Sequence, residues 1–243
     1  MFDIIIPILN EGDQVIKLLQ IFEKKIEKNF SVYLCYDTDQ DDIFDYKNEL
    51  KKFKFPIVLT KNSGTGPCSA VKTGLIMSKA ECKIVYPADD FLNIQLLNEM
   101  YEKFIYNKAD IVVASRFIKG GSMVGCPIFK SILVRTASST LYFLSSIPVR
   151  DASNGFRLFS ERFLKKVKIE SKLGFAYSLE LLVKCNRLKM NIIEVPAKWE
   201  ERSKGQSNFK IFKWLKEYIR WYIYGLETSW LQKKEPINLN EQI

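Results

Sequence analysis

The pattern of apolar and polar positions along the chain predicts short buried strands that alternate with helices. Residues 2–8 form an apolar run rich in isoleucine, and apolar residues recur at helical spacing over residues 15–26. Further strands are predicted at residues 31–36, 57–60, 82–86 and 111–115, and helices at residues 68–77, 129–146 and 175–187. This alternation is typical of parallel sheets, so we predict an α/β protein with a Rossmann-like, mostly parallel sheet flanked by helices.

The carboxy-terminal part of the chain departs from this alternation. Residues 151–159 are predicted to form a turn that leads into a short strand, and Pro196 places the strand predicted at residues 192–199 near a sheet edge or a strand end. Residues 211–232 are predicted to form an aromatic-rich amphipathic helix, followed by a polar tail at residues 233–243. No linker is visible before that helix, so residues 1–210 are predicted to form one domain.

Charge and composition narrow the classes of partner. The net charge of +9 favours anionic partners such as phosphates, acidic lipid headgroups or nucleic acid. The aromatic residues lie in apolar strands and one amphipathic helix, without an exposed stacking motif, so no nucleic-acid partner is predicted. The five cysteines show no paired short spacing, which argues against a zinc site or a disulfide framework and favours a reducing cytoplasm. Histidine is absent, which leaves carboxylates for any proton or metal chemistry.

Polar clusters follow four of the predicted strands. They are Asn10-Glu11, residues 37–42, residues 62–66 and Asp89-Asp90. In doubly wound sheets, ligands bind at the carboxyl ends of the strands. We therefore expect these four clusters, which are distant in sequence, to converge on one cleft.

Two of these clusters resemble known ion-binding or phosphate-binding loops only in part. Residues 37–41 have the alternating carboxylates of a calcium loop, but Asp42 stands where the turn needs glycine and Asn48 where a bidentate glutamate belongs. An EF-hand is therefore not predicted. Residues 62–67 lack the third glycine of a dinucleotide fingerprint, so they form either a phosphate-binding loop or a structural turn.

The Asp89-Asp90 pair and two later segments of the chain also allow two interpretations each. The Asp89-Asp90 pair directly follows an apolar strand, where its carboxylates either hold a hard cation against a diphosphate or form an acidic turn that caps the next helix. Residues 151–157 and 202–207 each combine an arginine with turn residues, which suits either a phosphate clamp or a solvated loop.

Taken together, the motifs form an ordered series. They occupy residues 6–11, 36–37, 62–74, 88–89, 115–117, 151–157, 180–182, 194–196 and 202–207. This series resembles family 2 glycosyltransferases of the GT-A fold, and most closely the dolichyl-phosphate mannosyltransferase-like branch. The resemblance covers residues 1–210, and its later motifs are more specific than its first.

The resemblance implies a role for individual residues of this chain. A nucleotide sugar would be bound by Pro7, Leu9, Glu11, Asp37, Asn62, Gly66, Ala88 and Asp89. A Mg²⁺ or Mn²⁺ ion on the donor diphosphate would be held by Asp89, and the candidate catalytic residues are Asp89, Asp90 and Arg116, the last in contact with donor phosphate. An acceptor phosphate would lie among Arg135, Ser153, Asn154, Arg157 and Arg202.

Three positions depart from the family pattern. Pro87 replaces the first carboxylate of the acidic signature, Thr38 replaces a second acidic residue after Asp37, and Asn208 replaces a lysine. We expect Asp90 to supply the carboxylate missing at Pro87, and Lys210 to stand in for the lysine. If neither does so, the chain would bind a nucleotide sugar without turning it over.

The expected reaction is inverting transfer of a hexose from a nucleoside diphosphate sugar to a polyprenyl phosphate. The second pKa of a phosphate monoester is about 6, so this acceptor is already ionised at neutral pH and needs no general base. That suits a chain without histidine. Two alternatives remain open. One is transfer to a saccharide in surface-polysaccharide assembly, and the other is a nucleotide-sugar-binding protein without catalysis.

A lipid acceptor requires the protein to reach a bilayer. No uncharged stretch has the length of about 20 residues that a spanning helix needs, so we expect peripheral association with the inner face of the membrane, from the cytoplasm. The amphipathic helix suits the membrane interface, with Trp214 and Trp221 at headgroup depth and its cations toward anionic lipid. Its wide apolar face would equally serve packing on the core or on a partner in a homo-oligomer.

Overall fold

The computed structural model describes residues 1–201 and 211–230, and its centre is a seven-stranded sheet. The strands, in chain order, are β1 (Phe2–Pro7), β2 (Phe30–Tyr36), β3 (Ile57–Lys61), β4 (Cys82–Val85), β5 (Ile111–Ser115), β6 (Ser122–Val124), β7 (Arg157–Ser160), β8 (Ile192–Pro196) and β9 (Lys198–Glu200). The large sheet has the order β3-β2-β1-β4-β7-β5-β8, and β6 pairs with β9 in a separate two-stranded sheet.

Only β7 runs against the other strands of the large sheet. It pairs antiparallel with both β4 and β5, whereas every other pair in this sheet is parallel. Both Val85 and Val113 pair with Arg157, the first residue of β7. The amino end of β7 therefore lies at the same edge as the carboxyl ends of the other six strands, and the turn at residues 151–156 joins the strand-end clusters at that edge.

Helices cover both faces of the sheet. They are α1 (Gly12–Lys25), α2 (Lys47–Leu50), α3 (Pro67–Met77), α4 (Leu96–Asn107), α5 (Ile128–Leu144), α6 (Glu161–Leu164), α7 (Ala176–Arg187) and α8 (Ile211–Trp230), with a 3₁₀ helix at Asp42–Tyr46. One apolar core lies between the sheet and α1 and α4, and a second lies between the sheet and α3, α7 and α8. The predicted α/β architecture is confirmed.

The region predicted as one strand at residues 192–199 is divided in two. Pro196 is the last residue of β8, and β8 is an edge strand, as the missing N–H of proline predicts. After Pro196 the chain enters β9, which pairs with β6. The small sheet was not predicted, because strands of three residues show no periodicity.

Helix α8 forms where it was predicted, but its aromatic face contacts protein. Trp221 is only 2% exposed and belongs to the second core, and Tyr222 Oη lies 2.7 Å from Thr140 Oγ1 of α5. Trp214 packs edge-on against Phe175 at 6.0 Å between ring centroids. The prediction that these tryptophans contact lipid is therefore corrected in favour of packing on the core. An apolar helix face serves either partner, and α7 and α5 supply the protein partner here.

The predicted polar tail and the predicted site residue Arg202 lie outside the described residues, as do Asn208 and Lys210. Among the helices that the structure describes, none combines the length and the apolar character needed to cross a bilayer.

Candidate active site

The ends of β2 and β3 meet around the carboxylate of Asp37. Asp37 Oδ1 accepts a hydrogen bond from Asn62 Nδ2 at 2.7 Å, and Asp37 Oδ2 accepts one from the backbone N–H of Gly66 at 2.8 Å. Gly66 has φ +83, a conformation that favours glycine, and it directly precedes Pro67 at the start of α3. The structure thus brings together three of the residues predicted to bind the nucleotide.

Asn62 leaves one polar atom for a ligand. Asn62 Oδ1 is buried and has no hydrogen-bond partner among the residues that the structure describes. A buried acceptor without a partner costs about 1–3 kcal/mol, so this atom suits a bound N–H donor such as that of a nucleobase.

The loop after β1 is tied to the acidic segment after β2. The backbone N–H of Asn10 donates to Asp41 Oδ2 at 2.9 Å, and that of Gly12 donates to Asp42 Oδ1 at 2.9 Å. These carboxylates bind backbone, which accounts for their spacing without a calcium ion. Pro7 ends β1 and pairs with Cys35 of β2, and Leu9 and Glu11 follow it, so the three predicted nucleotide-binding residues lie at the sheet edge where Asp37 follows β2.

Asp89 and Asp90 follow β4 but are used differently. Asp90 Oδ1 accepts from the backbone N–H groups of Leu92 and Asn93, each at 3.0 Å, and Asp90 Oδ2 accepts from Asn93 Nδ2 at 2.7 Å. Burial raises the pKa of Asp90, and the hydrogen bonds from Asn93 offset only part of that rise. Asp90 thus closes its own turn with both oxygens, and its replacement of the missing carboxylate stays a prediction.

Asp89 remains as the candidate metal ligand of this turn. It is partly exposed at the end of β4, after the buried Ala88, and it lies near enough to Asp90 to raise the pKa of that carboxyl. The described residues contain no group of three or more His, Cys, Asp or Glu side chains that could hold a metal by themselves. One carboxylate together with substrate phosphates is nevertheless a usual way to bind Mg²⁺, so Asp89 fits an ion that arrives with a diphosphate.

Arg116 follows β5 and is held by a buried carboxylate. Its Nε lies 2.7 Å from Asp151 Oδ2, and its NH2 nitrogen lies 2.9 Å from Asp151 Oδ1 and 2.6 Å from Ser153 Oγ. Burial alone would raise the pKa of Asp151, but the charge and hydrogen bonds of Arg116 outweigh it and lower that pKa. Glu194 Oε1 in turn accepts from the backbone N–H of Asp151 at 3.1 Å. The Arg116 guanidinium is therefore held in one orientation at the cleft.

A second guanidinium lies close to the first. Arg116 and Arg135 both contact the ring of Phe117, with their guanidinium carbons 5.1 Å and 4.5 Å from its centroid. Asp151 pairs with Arg116, whereas Arg135 has no ion pair within the described residues. This end of the cleft is therefore a net cationic surface, as an anionic phosphate requires.

The chain matches the model of glycosyl transferase family 2 over residues 3–168. It belongs to this family. It is 26% identical over 229 residues to a dolichol-phosphate mannosyltransferase of Pyrococcus furiosus, a match that covers 92% of this chain and 62% of the relative. It is also 27% identical over 128 residues to an undecaprenyl-phosphate mannosyltransferase of Micrococcus luteus, covering 50% of this chain and 51% of that one. The chain thus spans about half to three fifths of the length of these relatives.

Solved structures establish the fold of this family 2 glycosyltransferase. A glucosyl-3-phosphoglycerate synthase from Mycobacterium tuberculosis, in complex with Mn²⁺, UDP-glucose and phosphoglyceric acid, superposes with a TM-score of 0.65 at 13% identity. The superposition covers 94% of this chain and 79% of that one. The predicted GT-A fold is confirmed.

The remaining predicted acceptor residues of the glycosyltransferase occupy different positions from those expected. Arg157 is fully buried, and its guanidinium donates to the carbonyl of Ala152 at 2.7 Å and to that of Ser178. Burial lowers the pKa of Arg157 to about 10. Its predicted contact with the acceptor phosphate is therefore corrected, because the guanidinium connects the turn at residues 151–156 to α7 and presents no surface to the cleft.

Asn154 also shapes this turn. Its Nδ2 donates to the carbonyl of Ala114 at 2.6 Å, and its Oδ1 accepts from the backbone N–H of Phe156 at 3.1 Å. Among the predicted acceptor residues that the structure describes, Ser153 and Arg135 lie beside Arg116 and Phe117. The side chains of Asn154 and Arg157 instead bind backbone groups and hold the turn at residues 151–156 in place.

We expect Arg157→Ala to destabilise the fold. The change removes the guanidinium that donates to the carbonyls of Ala152 and Ser178 and opens a cavity, which together should lower the free energy of unfolding by about 3 kcal/mol. Urea denaturation measures this, with Arg135→Ala as the exposed arginine control and an expected change within about 0.5 kcal/mol. Unchanged stability of the Arg157 variant together with a raised acceptor KM would restore the original assignment.

Three residues that shape the site were not singled out from the sequence. Asp151 fixes Arg116, the ring of Phe117 contacts both guanidiniums, and Asn93 completes the Asp90 turn. Asp151 and Phe117 belong to the motifs at residues 151–157 and 115–117, so the sequence indicated their segments but not their individual roles. Asn93 gave none, because an isolated asparagine near a helix start is an ordinary turn residue.

Proposed function

We propose that this glycosyltransferase moves a hexose from a nucleoside diphosphate sugar to a polyprenyl phosphate, with inversion at the anomeric carbon. The observation that carries the proposal is one sheet edge that bears two chemically different clusters. The Asp37, Asn62 and Gly66 cluster offers a buried acceptor for a nucleobase, and the Arg116 and Arg135 pair offers cationic donors for a phosphate. The names of the Pyrococcus and Micrococcus relatives, which are mannosyltransferases of dolichol phosphate and undecaprenyl phosphate, support a hexose and the same acceptor class.

The chain's own groups suffice for an ionised acceptor. A phosphate monoester is already anionic near neutral pH, so the attacking oxygen needs no base, and the main tasks are alignment and charge stabilisation. Among the described residues, hydrogen bonds use Nε and NH2 of Arg116, and NH1 would bind a phosphate oxygen. Asp89 would hold Mg²⁺ or Mn²⁺, which when bound neutralises charge on the leaving diphosphate.

We propose that α5, instead of α8, contacts a membrane. Three side chains at the start of α5 are strongly exposed, namely Ile128 at 79%, Phe129 at 78% and Ile132 at 59%. Lys130 and Arg135 lie on the same helix, so an apolar patch is flanked by cations. This pairing is complementary to the interface of an anionic bilayer, and it lies beside the cationic end of the cleft.

Two other functions are distinguishable from this one. Transfer to a saccharide would use the same donor cluster without a phosphate on the acceptor. A nucleotide-sugar-binding protein without catalysis is favoured by one observation, which is that Pro87 and the closed Asp90 turn leave Asp89 as the single candidate carboxylate of the metal site.

Release of nucleoside diphosphate from GDP-hexoses and UDP-hexoses separates these functions. We expect release that requires both Mn²⁺ and a short-chain polyprenyl phosphate. Release that requires a saccharide instead would support the second function. Binding of the donor without release under any acceptor condition would support the third.

A further inference from the structure

The side chain of Asn93 joins two segments that are far apart in the sequence. It is only 6% exposed, and its Nδ2 donates to Asp90 Oδ2 at 2.7 Å and to the carbonyl of Lys198 at 2.7 Å. Its Oδ1 accepts from the backbone N–H of Lys198 at 2.8 Å. Both hydrogens of the amide nitrogen and one lone pair of the oxygen are therefore used.

Lys198 is the first residue of β9, which lies on the acceptor side of the cleft. It pairs with Ser122 of β6, and Ala197 before it donates its N–H to the carbonyl of Ser115 at 2.8 Å. Ser115 directly precedes Arg116, and β9 ends two residues before Arg202. The strand that Asn93 holds is thus bonded to the Arg116 segment, and Arg202 follows it in the sequence, outside the described residues.

The two-stranded sheet by itself is too short to fix this strand. Each of its strands has three residues, and isolated pairs of strands are marginally stable in water. Asn93 bonds both backbone groups of Lys198, as a neighbouring strand would. Its own position is set by Asp90, in the turn that carries Asp89.

We propose that Asn93 is a positioning residue that sets the distance between the Asp89 turn and the acceptor strand β9. This inference rests on the proposed transfer of a sugar between a donor at Asp89 and a phosphate at the arginines. It also gives Asp90 a role, since Asp90 orients the Asn93 amide and does not bind the metal. A shift of about 1 Å between reacting groups can cost about a hundredfold in rate, so this connection is expected to matter for transfer and much less for donor binding.

Asn93→Ala tests the proposal, with Asn98→Ala as the matched control. Asn98 on α4 also bonds backbone with its side chain, to Lys25 and Glu27 at 3.1 Å and 3.3 Å, away from the cleft. For Asn93→Ala we expect kcat/KM for a short-chain polyprenyl phosphate to fall by about tenfold or more, while the Kd for nucleoside diphosphate with Mn²⁺ changes by less than about threefold. Asp90→Asn should shift the same constants in the same direction, without changing the Mn²⁺ concentration for half-maximal rate.

Amide hydrogen exchange supplies a readout that does not need activity. The Lys198 amide should exchange about tenfold faster in Asn93→Ala than in wild type, and at an unchanged rate in Asn98→Ala. Failure of the wild type to transfer sugar would contradict the proposed function, and the exchange rates would then decide on the Asn93 connection by themselves. Equal Lys198 exchange in wild type and Asn93→Ala, or an active variant with unchanged acceptor kcat/KM, would overturn the inference.

Discussion

Asp89→Asn should lower the rate of sugar transfer by about a thousandfold, because a neutral amide cannot replace an anionic ligand of a hard divalent ion. Such a loss corresponds to about 4 kcal/mol of transition-state stabilisation. The Asp90 oxygens accept hydrogen bonds from Leu92 and Asn93, so we do not expect Asp90 to compensate. Initial rates measured over a series of Mn²⁺ concentrations give the comparison.

Asp39→Asn is the matched control for that change. Asp39 is an exposed aspartate after β2 that pairs with Lys61, so its neutralisation changes the same charge without reaching the Asp89 turn. We expect its transfer rate to stay within about twofold of wild type, as for other exposed ion pairs. Full activity of wild type in EDTA, or a wild-type rate for Asp89→Asn, would contradict the proposal that transfer needs a divalent ion bound by Asp89.

Phe129→Glu combined with Ile132→Glu should reduce binding to anionic liposomes by about a hundredfold or more. Burying each apolar side chain contributes about 1.5 kcal/mol or more, and about 1.4 kcal/mol is a factor of ten. Both side chains are exposed on α5, so the fold should keep its thermal stability. Co-sedimentation with vesicles that contain an anionic phospholipid measures the partition.

The comparison variant places the same two charges on α8. Ile219 and Ile223 are exposed at 45% and 46%, on the helix that first seemed suited to the membrane. We expect Ile219→Glu with Ile223→Glu to sediment as wild type does. Release by this α8 variant, with retention of the α5 variant, would return membrane contact to α8.

The buried strands could be predicted because their sequences are compatible with only one kind of secondary structure. The apolar runs that became β1, β2 and β5 are too short for helices of a core and too apolar for loops, and their observed ends lie within one residue of those predicted. The meeting of Asp37 with Asn62 and Gly66 followed from strand direction alone, since carboxyl ends of parallel strands share an edge.

The use of each polar side chain could not be predicted in the same way. Asp90 and Arg157 have the residue type and the sequence position of ligand-binding groups, yet each binds the backbone of its own surroundings. Which partner a charged group takes depends on whether the fold buries it, and for Arg157 this follows from the antiparallel insertion of β7 between β4 and β5. The helical pattern of α8 was likewise compatible with lipid or with protein, and only the packing of Trp221 decided between them.

The configuration and linkage of the product test the central claim most directly. Wild-type protein is incubated with Mn²⁺, an α-linked nucleoside diphosphate hexose and a short-chain polyprenyl phosphate, and the lipid product is examined by proton and phosphorus NMR. In-line attack by the acceptor phosphate predicts a β-linked hexose whose anomeric proton is coupled to phosphorus. An α-linked product, or a sugar joined through a hydroxyl with no coupling to phosphorus, would contradict it.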